Sequence, residues 1–149
     1  MEWIDWGMDN IQKFTCSQSK FATEKKTIMI CEDEPDVLLS FELILESKYN
    51  IIMVDSGQKC VEKYIAEISQ GNKIHLVLLD YKLRGSVMGD SVARKIKEYS
   101  ETKVILISAY NIDDKLVNEL KNGSYITKYV LKPIDSERLT NLIDEIIKN

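Results

Sequence analysis

Short apolar runs recur along the chain at nearly even intervals. They are rich in β-branched residues and do not alternate with polar ones, which predicts strands buried on both faces, as in a parallel sheet covered by helices. Their starts are 23, 24, 29 and 25 residues apart, enough for one helix between consecutive strands. The runs begin near Ile28, Ile51, His75, Val104 and Tyr129.

Amphipathic helices are predicted in the gaps, because apolar residues recur there at helical spacing. Residues that favour helix starts support them, such as a proline at a first position and a serine at a cap. The helices are predicted to begin near Pro35, after Ser56, near Asp90, near Asp113 and at Asp135 or Ser136. The alternation predicts an α/β fold, a doubly wound (βα)5 sheet of parallel strands with right-handed crossovers.

The first part of the chain differs from the rest. No strand pattern occurs in residues 1–26, but Ile4, Met8 and Ile11 fall on one helical face. Two interpretations stay open, a disordered leader or a helix that docks on the domain or on a partner. We therefore expect an N-terminal extension followed by one domain over residues 27–149, which ends at the fifth helix without an attached effector.

Composition narrows the possible functions. The formal net charge is −4, whereas a nucleic-acid binder needs a basic face to displace counterions from phosphates. The three cysteines are scattered, which fits a reducing compartment better than a disulfide framework. No signal-peptide pattern and no apolar run of membrane-spanning length is evident. We expect a cytoplasmic protein, a monomer or weak dimer, that binds neither nucleic acid nor membrane.

Polar side chains follow the apolar runs at the points where strands should end. Glu32 and Asp33 follow the first run, Asp80 ends the third, Ser108 ends the fourth and Lys132 follows the fifth. In a sheet with the flavodoxin-like order 2-1-3-4-5, ligands bind beyond the carboxyl ends of strands one and three, where the strand order reverses. We therefore expect these side chains to converge at one rim of the sheet.

The expected cluster has the chemistry of a metal-assisted phosphoryl site. Carboxylates that converge without a cation would repel one another, and Mg²⁺ is the expected cofactor because it prefers oxygen ligands. Asp80 is the candidate nucleophile, since a carboxylate can accept a phosphoryl group as an acyl phosphate. Ser108 and Lys132 would contact the phosphoryl oxygens. Asp55 follows the second strand, on the far side of the first, and is expected to lie outside the site.

These residues stand in segments that resemble a known family, the receiver domain of two-component response regulators. The resemblance covers Thr27 to Lys148 and is specific through the order and spacing of its segments. The segments are CEDEP at Cys31–Pro35, LLDYKLRG at Leu78–Gly85, ISAY at Ile107–Tyr110 and YVLKP at Tyr129–Pro133.

The resemblance implies a role for each matching residue. Asp80 would be the phosphoacceptor, Asp33 a direct Mg²⁺ ligand and Glu32 a ligand through water. The backbone carbonyl of Lys82 would complete the metal shell. Lys132 would contact the phosphoryl group, and a cis peptide bond is expected before Pro133.

The resemblance also implies a switch. Ser108 would move toward the phosphoryl oxygen, and Tyr129 would fill the space that it leaves. The surface altered would be the fourth helix, fifth strand and fifth helix, which would bind a downstream protein. Lys82 and Tyr110 are bulky and stand where side chains can shield the acyl phosphate from water, which predicts its slow hydrolysis. His75 has no partner motif and is expected to be structural.

The sequence departs from the family pattern in four places. Glu32 replaces the commoner aspartate, and Arg84 stands where proline is usual. The expected glycine is Gly89, nine residues after Asp80 where eight is usual, so the intervening loop is one residue longer. A changed loop shape is therefore expected. The fourth departure is the N-terminal extension.

The sequence predicts a phosphorylation-dependent signalling switch that accepts its phosphoryl group from a sensor histidine kinase. No enzymatic activity is expected beyond self-catalysed phosphorylation and dephosphorylation. An intermediate phosphate carrier in a phosphorelay and a phosphorylation-independent interaction module remain alternatives. A phosphatase of the haloacid dehalogenase type is disfavoured, because Lys82 stands where such enzymes need a second acid. A flavin carrier is disfavoured because an acidic loop, residues 32–34, would repel the phosphate of FMN.

Overall fold

The strands form one open parallel sheet. A computed structural model describes residues 24–148, so the expected extension lies almost entirely outside the described residues. The sheet has the order β2-β1-β3-β4-β5, and this confirms the predicted doubly wound fold. The strands are β1 Thr27–Cys31, β2 Asn50–Val54, β3 Leu76–Asp80, β4 Lys103–Ser108 and β5 Lys128–Leu131.

Each strand is followed by a helix, and local chemistry explains where the helices begin. Pro35 occupies the first turn of the first helix. The Ser56 hydroxyl accepts a hydrogen bond from the Lys59 N–H at 3.2 Å and caps the second. Asp113 caps the fourth in the same way through Lys115. The helices are α1 Pro35–Leu45, α2 Gly57–Ser69, α3 Gly89–Tyr99, α4 Asp114–Asn122 and α5 Ser136–Lys148.

The helices cover both faces of the sheet. Alternate residues of each strand point to opposite faces, so that Ile28 and Ile30 pack with α1 and α5. Met29 and Cys31 pack with α2, α3 and α4 on the other face. The central strands β1, β3 and β4 are almost completely buried between these layers.

The prediction that every strand is buried on both faces is wrong for β2 and β5. Both are edge strands of the sheet that residues 24–148 form, so within this part of the chain one side of each has no neighbouring strand. Met53 in β2 is 41% exposed and Leu131 in β5 is 39% exposed. The apolar sequence of an edge strand does not by itself reveal this position. No helix among residues 24–148 is long and apolar enough to cross a membrane.

His75 joins β1 to β3 at the rim where the strands begin. Its Nδ1 accepts a hydrogen bond from the Thr27 N–H at 3.0 Å, and its own backbone N–H donates to the Thr27 carbonyl at 2.9 Å. Burial lowers the pKa of His75 below 6.5, and the positive charges of Lys73 and Lys26 lower it further. The side chain therefore has the structural role expected for it.

We predict that His75 makes the stability of the protein depend on pH. As pH falls, the unfolded chain binds a proton at this histidine first, near pH 6.5, because the folded pKa is lower. The contribution of neutral His75 is therefore present above pH 6.5 and is lost as pH falls through the folded pKa. Urea unfolding at about pH 7.5 and about pH 5.5 measures the change.

The variant His75→Gln should lose less stability over this interval than the unsubstituted protein. The chain has one histidine, and other groups that titrate in this range are present in both proteins, so the difference between the two curves reports His75. Equal losses in both proteins would contradict the prediction.

Candidate functional site

Three carboxylates converge where β1 and β3 end. These strands are neighbours with Cys31 opposite Leu79, so the residues that follow lie side by side. Glu32 and Asp33 come directly after β1, and Asp80 is the last residue of β3. Each of the three offers an oxygen within 4.8 Å of the others. The convergence predicted from the sequence is thus present.

Lys132 reaches this carboxylate cluster from the end of β5. Its Nζ lies 2.8 Å from Glu32 Oε1 and 3.3 Å from Asp80 Oδ2. Because β4 separates β5 from β3, the long lysine side chain extends across the sheet rim to make both contacts. The Lys132-Pro133 peptide bond is cis, as the family resemblance implied.

The cluster carries more negative than positive charge. Glu32 is 1% exposed, and its Oε2 has no hydrogen-bond partner among residues 24–148. Burial, together with the nearby Asp80 carboxylate, raises the pKa of Glu32 to about 8 despite the opposing effect of Lys132. Burial lowers the pKa of Lys132, but Glu32 and Asp80 outweigh it, and the net shift is upward. The ammonium is therefore retained inside the site.

The residues present fit a divalent metal ion. The orphaned Oε2 of Glu32 is a buried acceptor without a donor, and Asp33 and Asp80 add two more carboxylates within ligand reach. A hard cation that prefers oxygen, such as Mg²⁺, would satisfy this donor set and reduce its mutual repulsion. The backbone carbonyl of Lys82 stays a predicted further ligand.

Ser108 and Tyr129 are linked through a single backbone carbonyl. The buried Ser108 hydroxyl donates to the Tyr110 carbonyl at 2.7 Å and accepts from the Tyr110 N–H at 3.0 Å. The Tyr129 hydroxyl donates to the same carbonyl at 3.1 Å and accepts from the Ile112 N–H at 3.3 Å. In this structure Ser108 thus bonds its own loop and not the carboxylate cluster.

Comparison with known proteins identifies the family. The family model described as the response regulator receiver domain matches residues 28–144. The chain belongs to this family. The match agrees with the resemblance read from the sequence and covers nearly all of the structure described above.

Curated relatives of this receiver domain are two-component response regulators. It is similar to the two-component response regulator ORR3 of rice, with 25% identity over 134 residues that cover 81% of this chain and 97% of that protein. It is also similar to the response regulator ArlR of Staphylococcus aureus, with 30% identity over 122 residues. That alignment covers 81% of this chain and 52% of ArlR.

Solved structures show the same fold. A CheY-like receiver domain protein from Methanospirillum hungatei superposes with a TM-score of 0.70 at 24% identity, covering 84% of this chain and 95% of that one. The response regulator TrrA of Thermotoga maritima gives a TM-score of 0.66 at 25% identity, covering 81% of this chain and 98% of that one. The TrrA structure is a complex with Mg(2+)-BeF.

Close backbone contacts at glycines shape the loop between Asp80 and α3. Gly89 begins α3, and its N–H donates to the Tyr81 carbonyl at 2.7 Å. A Cβ at Gly89 would lie 2.5 Å from the Asp80 carbonyl oxygen, so only glycine permits this approach. Gly85 has a φ of +93° and allows the turn in the lengthened part. The loop then packs against α2, where a Cβ at Gly57 would meet the Val87 carbonyl at 2.6 Å.

Two further observations complete the site of this receiver domain. Asp55 forms an ion pair with Lys59 at 3.2 Å and does not belong to the carboxylate cluster, as expected. The Lys82 ammonium lies over the ring of Tyr110, 5.2 Å from its centroid. The sequence indicates a shielding role for both side chains, but it gives no sign that the Tyr110 carbonyl is a shared acceptor. The shared acceptor is a backbone atom, and a pattern of side chains does not reveal the hydrogen bonds of the backbone.

Proposed function

We propose that this receiver domain is a phosphorylation-dependent switch that accepts a phosphoryl group on Asp80 from a sensor histidine kinase, with Mg²⁺ as cofactor. The observation that carries the proposal is the meeting of Glu32, Asp33, Asp80 and Lys132 at one rim of the sheet. Family membership supports it, since the relatives are two-component response regulators. The Mg(2+)-BeF complex of TrrA supports the choice of metal.

The geometry supports direct transfer to Asp80. Its side chain is 11% exposed, so part of the carboxylate is accessible to a donor. An Asp80 oxygen would bond to phosphorus while the bond from phosphorus to the donor histidine nitrogen breaks. Lys132 would hold one phosphoryl oxygen, and bound Mg²⁺, held by Asp33, Asp80 and Glu32, would neutralise charge on the transferred group. Within this chain, Asp80 is the residue proposed to form a covalent bond to the phosphoryl group.

The shared Tyr110 carbonyl supports a link from this site to the output face. If Ser108 turns toward a phosphoryl oxygen, the carbonyl loses one of its two hydroxyl donors. The position of Tyr129, at the start of β5, then responds to the state of Ser108. The difference in free energy between two packings needs to be only a few kcal/mol for such a shift.

The proposed output face consists of α4, β5 and α5. A groove of about 450 Å³ runs along β5 and α5, with Lys128, Val130, Arg138 and Leu142 among its lining residues. A downstream protein is the proposed occupant. A phosphate carrier would use the same site, and transfer of the label from Asp80 to a second histidine-containing protein would identify that alternative.

One prediction of this proposal tests the phosphoacceptor. Incubation with a small phosphodonor and Mg²⁺ should add one phosphoryl group to the protein, as measured by intact mass, and chelation of the metal should prevent it. Asp80→Asn should abolish the adduct. Asp55→Asn is the matched control, an acidic residue after a neighbouring strand but outside the cluster, and it should be labelled normally. Labelling that persists in Asp80→Asn would overturn the proposal.

A second prediction concerns the switch. In the unsubstituted protein, beryllium fluoride with Mg²⁺ should shift the amide NMR signals of α4, β5 and α5. Tyr129→Ala should still be labelled at Asp80 but should show much smaller shifts on this face, because the hydroxyl that shares the Tyr110 carbonyl is gone. Simultaneous loss of labelling and shifts would argue against this coupling.

A third prediction concerns the lifetime of the acyl phosphate. Hydrolysis should be slow, with a half-life much longer than seconds, because Lys82 and Tyr110 form a stacked pair beside the site. Tyr110→Ala should accelerate hydrolysis about fivefold, which corresponds to the loss of about 1 kcal/mol of shielding. Tyr99→Ala, which removes another exposed tyrosine, is the control. An unchanged rate in Tyr110→Ala would contradict this role.

A further inference from the structure

We propose that the outer face of α1 is a docking surface for the N-terminal segment of the same chain, through the apolar side chains of residues 3–14. The α1 surface consists of Leu39 and Leu43. This inference goes beyond the proposed function, because it concerns an interaction within the chain that needs neither a phosphoryl group nor a metal ion.

The helix α1 is apolar on its outer side as well as on its inner side. Phe41 and Leu45 are buried in the core, whereas Leu39 is 51% exposed. Leu43 is 62% exposed and lies one helical turn after Leu39 on the same face. No other helix among residues 24–148 carries two exposed large apolar side chains. An apolar outer face is typical of a helix that a further layer of protein covers.

The edge of the sheet beside α1 is also apolar and exposed. α1 packs against β2, where Ile51 contacts the core that α1 shares with α5. Met53, two residues further along β2, points to the same side of the sheet as Ile51 and is 41% exposed. The exposed apolar side chains of α1 therefore have an apolar neighbouring strand on the same side of the sheet.

The described part of the chain begins beside the end of α1. The Lys25 ammonium donates to the carbonyl of Glu46, the residue directly after α1, at 3.2 Å. The segment that precedes Lys25 thus starts next to the last turn of this helix. Leu39 lies about 10 Å further along the helix axis. Because the chain from Phe14 to Lys25 can span up to about 36 Å when it is extended, residues 3–14 can reach the α1 surface.

The N-terminal segment carries apolar side chains that suit this surface. Its large apolar residues are Trp3, Ile4, Trp6, Met8, Ile11 and Phe14. Attachment to the same chain gives the segment an effective concentration in the ~millimolar range at the α1 surface. The burial of a few apolar side chains is then enough for docking. A second copy of the chain or a separate protein would bind without this advantage, so the segment itself is the proposed occupant.

Tryptophan fluorescence of the full chain tests the docking directly. Trp3 and Trp6 are the two tryptophans of the chain, so the emission reports on the segment alone, without phosphodonor or Mg²⁺. In the docked protein the emission should peak at a shorter wavelength than in urea. Leu39→Ser combined with Leu43→Ser should shift the emission toward that of the unfolded protein. Acrylamide quenching should rise about twofold, since a ring packed on one face exposes about half of its surface.

Tyr99→Ser is the matched control for the leucine variant. Tyr99 is an exposed side chain, 46% accessible, on α3 at the other side of the sheet, and its replacement should leave emission and quenching unchanged. Thermal unfolding of each variant shows that the domain is folded. Ile4→Ser combined with Met8→Ser changes the segment instead of the domain, and it should shift the amide NMR signals of α1 but not those of α3.

Two results would overturn the docking within the chain. One is an emission spectrum of the unsubstituted protein that equals the spectrum in urea, or a response to the leucine variant no larger than the response to Tyr99→Ser. The other is an emission peak that moves to shorter wavelength only as the protein concentration rises, because a second copy would then be the occupant. Labelling of Asp80 is measured separately, and its failure would refute the proposed function alone.

Discussion

The site depends on one constraint, a carboxylate that the fold buries almost completely. Glu32 follows a central strand and has 1% of its surface exposed, so its carboxyl group loses most of its hydration when it is ionised. A buried charge without a partner is strongly destabilising, whereas an ion pair with good geometry compensates much of the loss. Lys132 supplies the compensation from 100 residues away along the chain. The first and last strands are thereby connected across the rim that holds Asp80.

At the rim of the sheet where the strands begin, positively charged side chains contact the carboxyl ends of helices. The helices run antiparallel to the strands, so their carboxyl ends, with partial negative charge, lie where the strands begin. Lys25 donates to the Glu46 carbonyl at the end of α1, at 3.2 Å, and Lys103 donates to the Ile146 carbonyl near the end of α5, at 2.7 Å. Lys25 and Lys103 thus offset the partial negative charge at the ends of α1 and α5.

Much of the fold can be predicted from the sequence because buried strands and helix starts have recognisable local sequence patterns. The strands begin within one residue of the predicted positions, since short uninterrupted apolar runs fit few structures other than buried strands. The helix starts follow from Pro35, Ser56 and Asp113, whose cap chemistry is local. The exposure of Met53 could not be predicted in the same way, because an edge strand differs from a central strand in its neighbours and not in its composition.

The site shows the same division between local and non-local information. Its membership could be predicted, since strand ends of one sheet meet at one rim whatever the side-chain conformations. The hydrogen-bond or ion-pair partner of each side chain could not be predicted. The sequence places three carboxylates near Lys132, and only side-chain geometry shows that the lysine contacts Glu32 and Asp80. Likewise, nothing in the order of residues indicates that one backbone carbonyl joins Ser108 to Tyr129.

The contact between Ser108 and Tyr129 runs through a backbone atom that belongs to neither residue. The Tyr110 carbonyl has two lone pairs, and both hydroxyl donors occupy them in this structure. Withdrawal of Ser108 would leave a carbonyl with spare accepting capacity beside a tyrosine that is still bound to it. Tyr129 would then be the one hydroxyl among the described residues that donates to this carbonyl. The hydrogen bonds of Ser108 and Tyr129 are thereby coupled through one backbone oxygen, which joins the end of β4 to β5 without a chain of side-chain contacts.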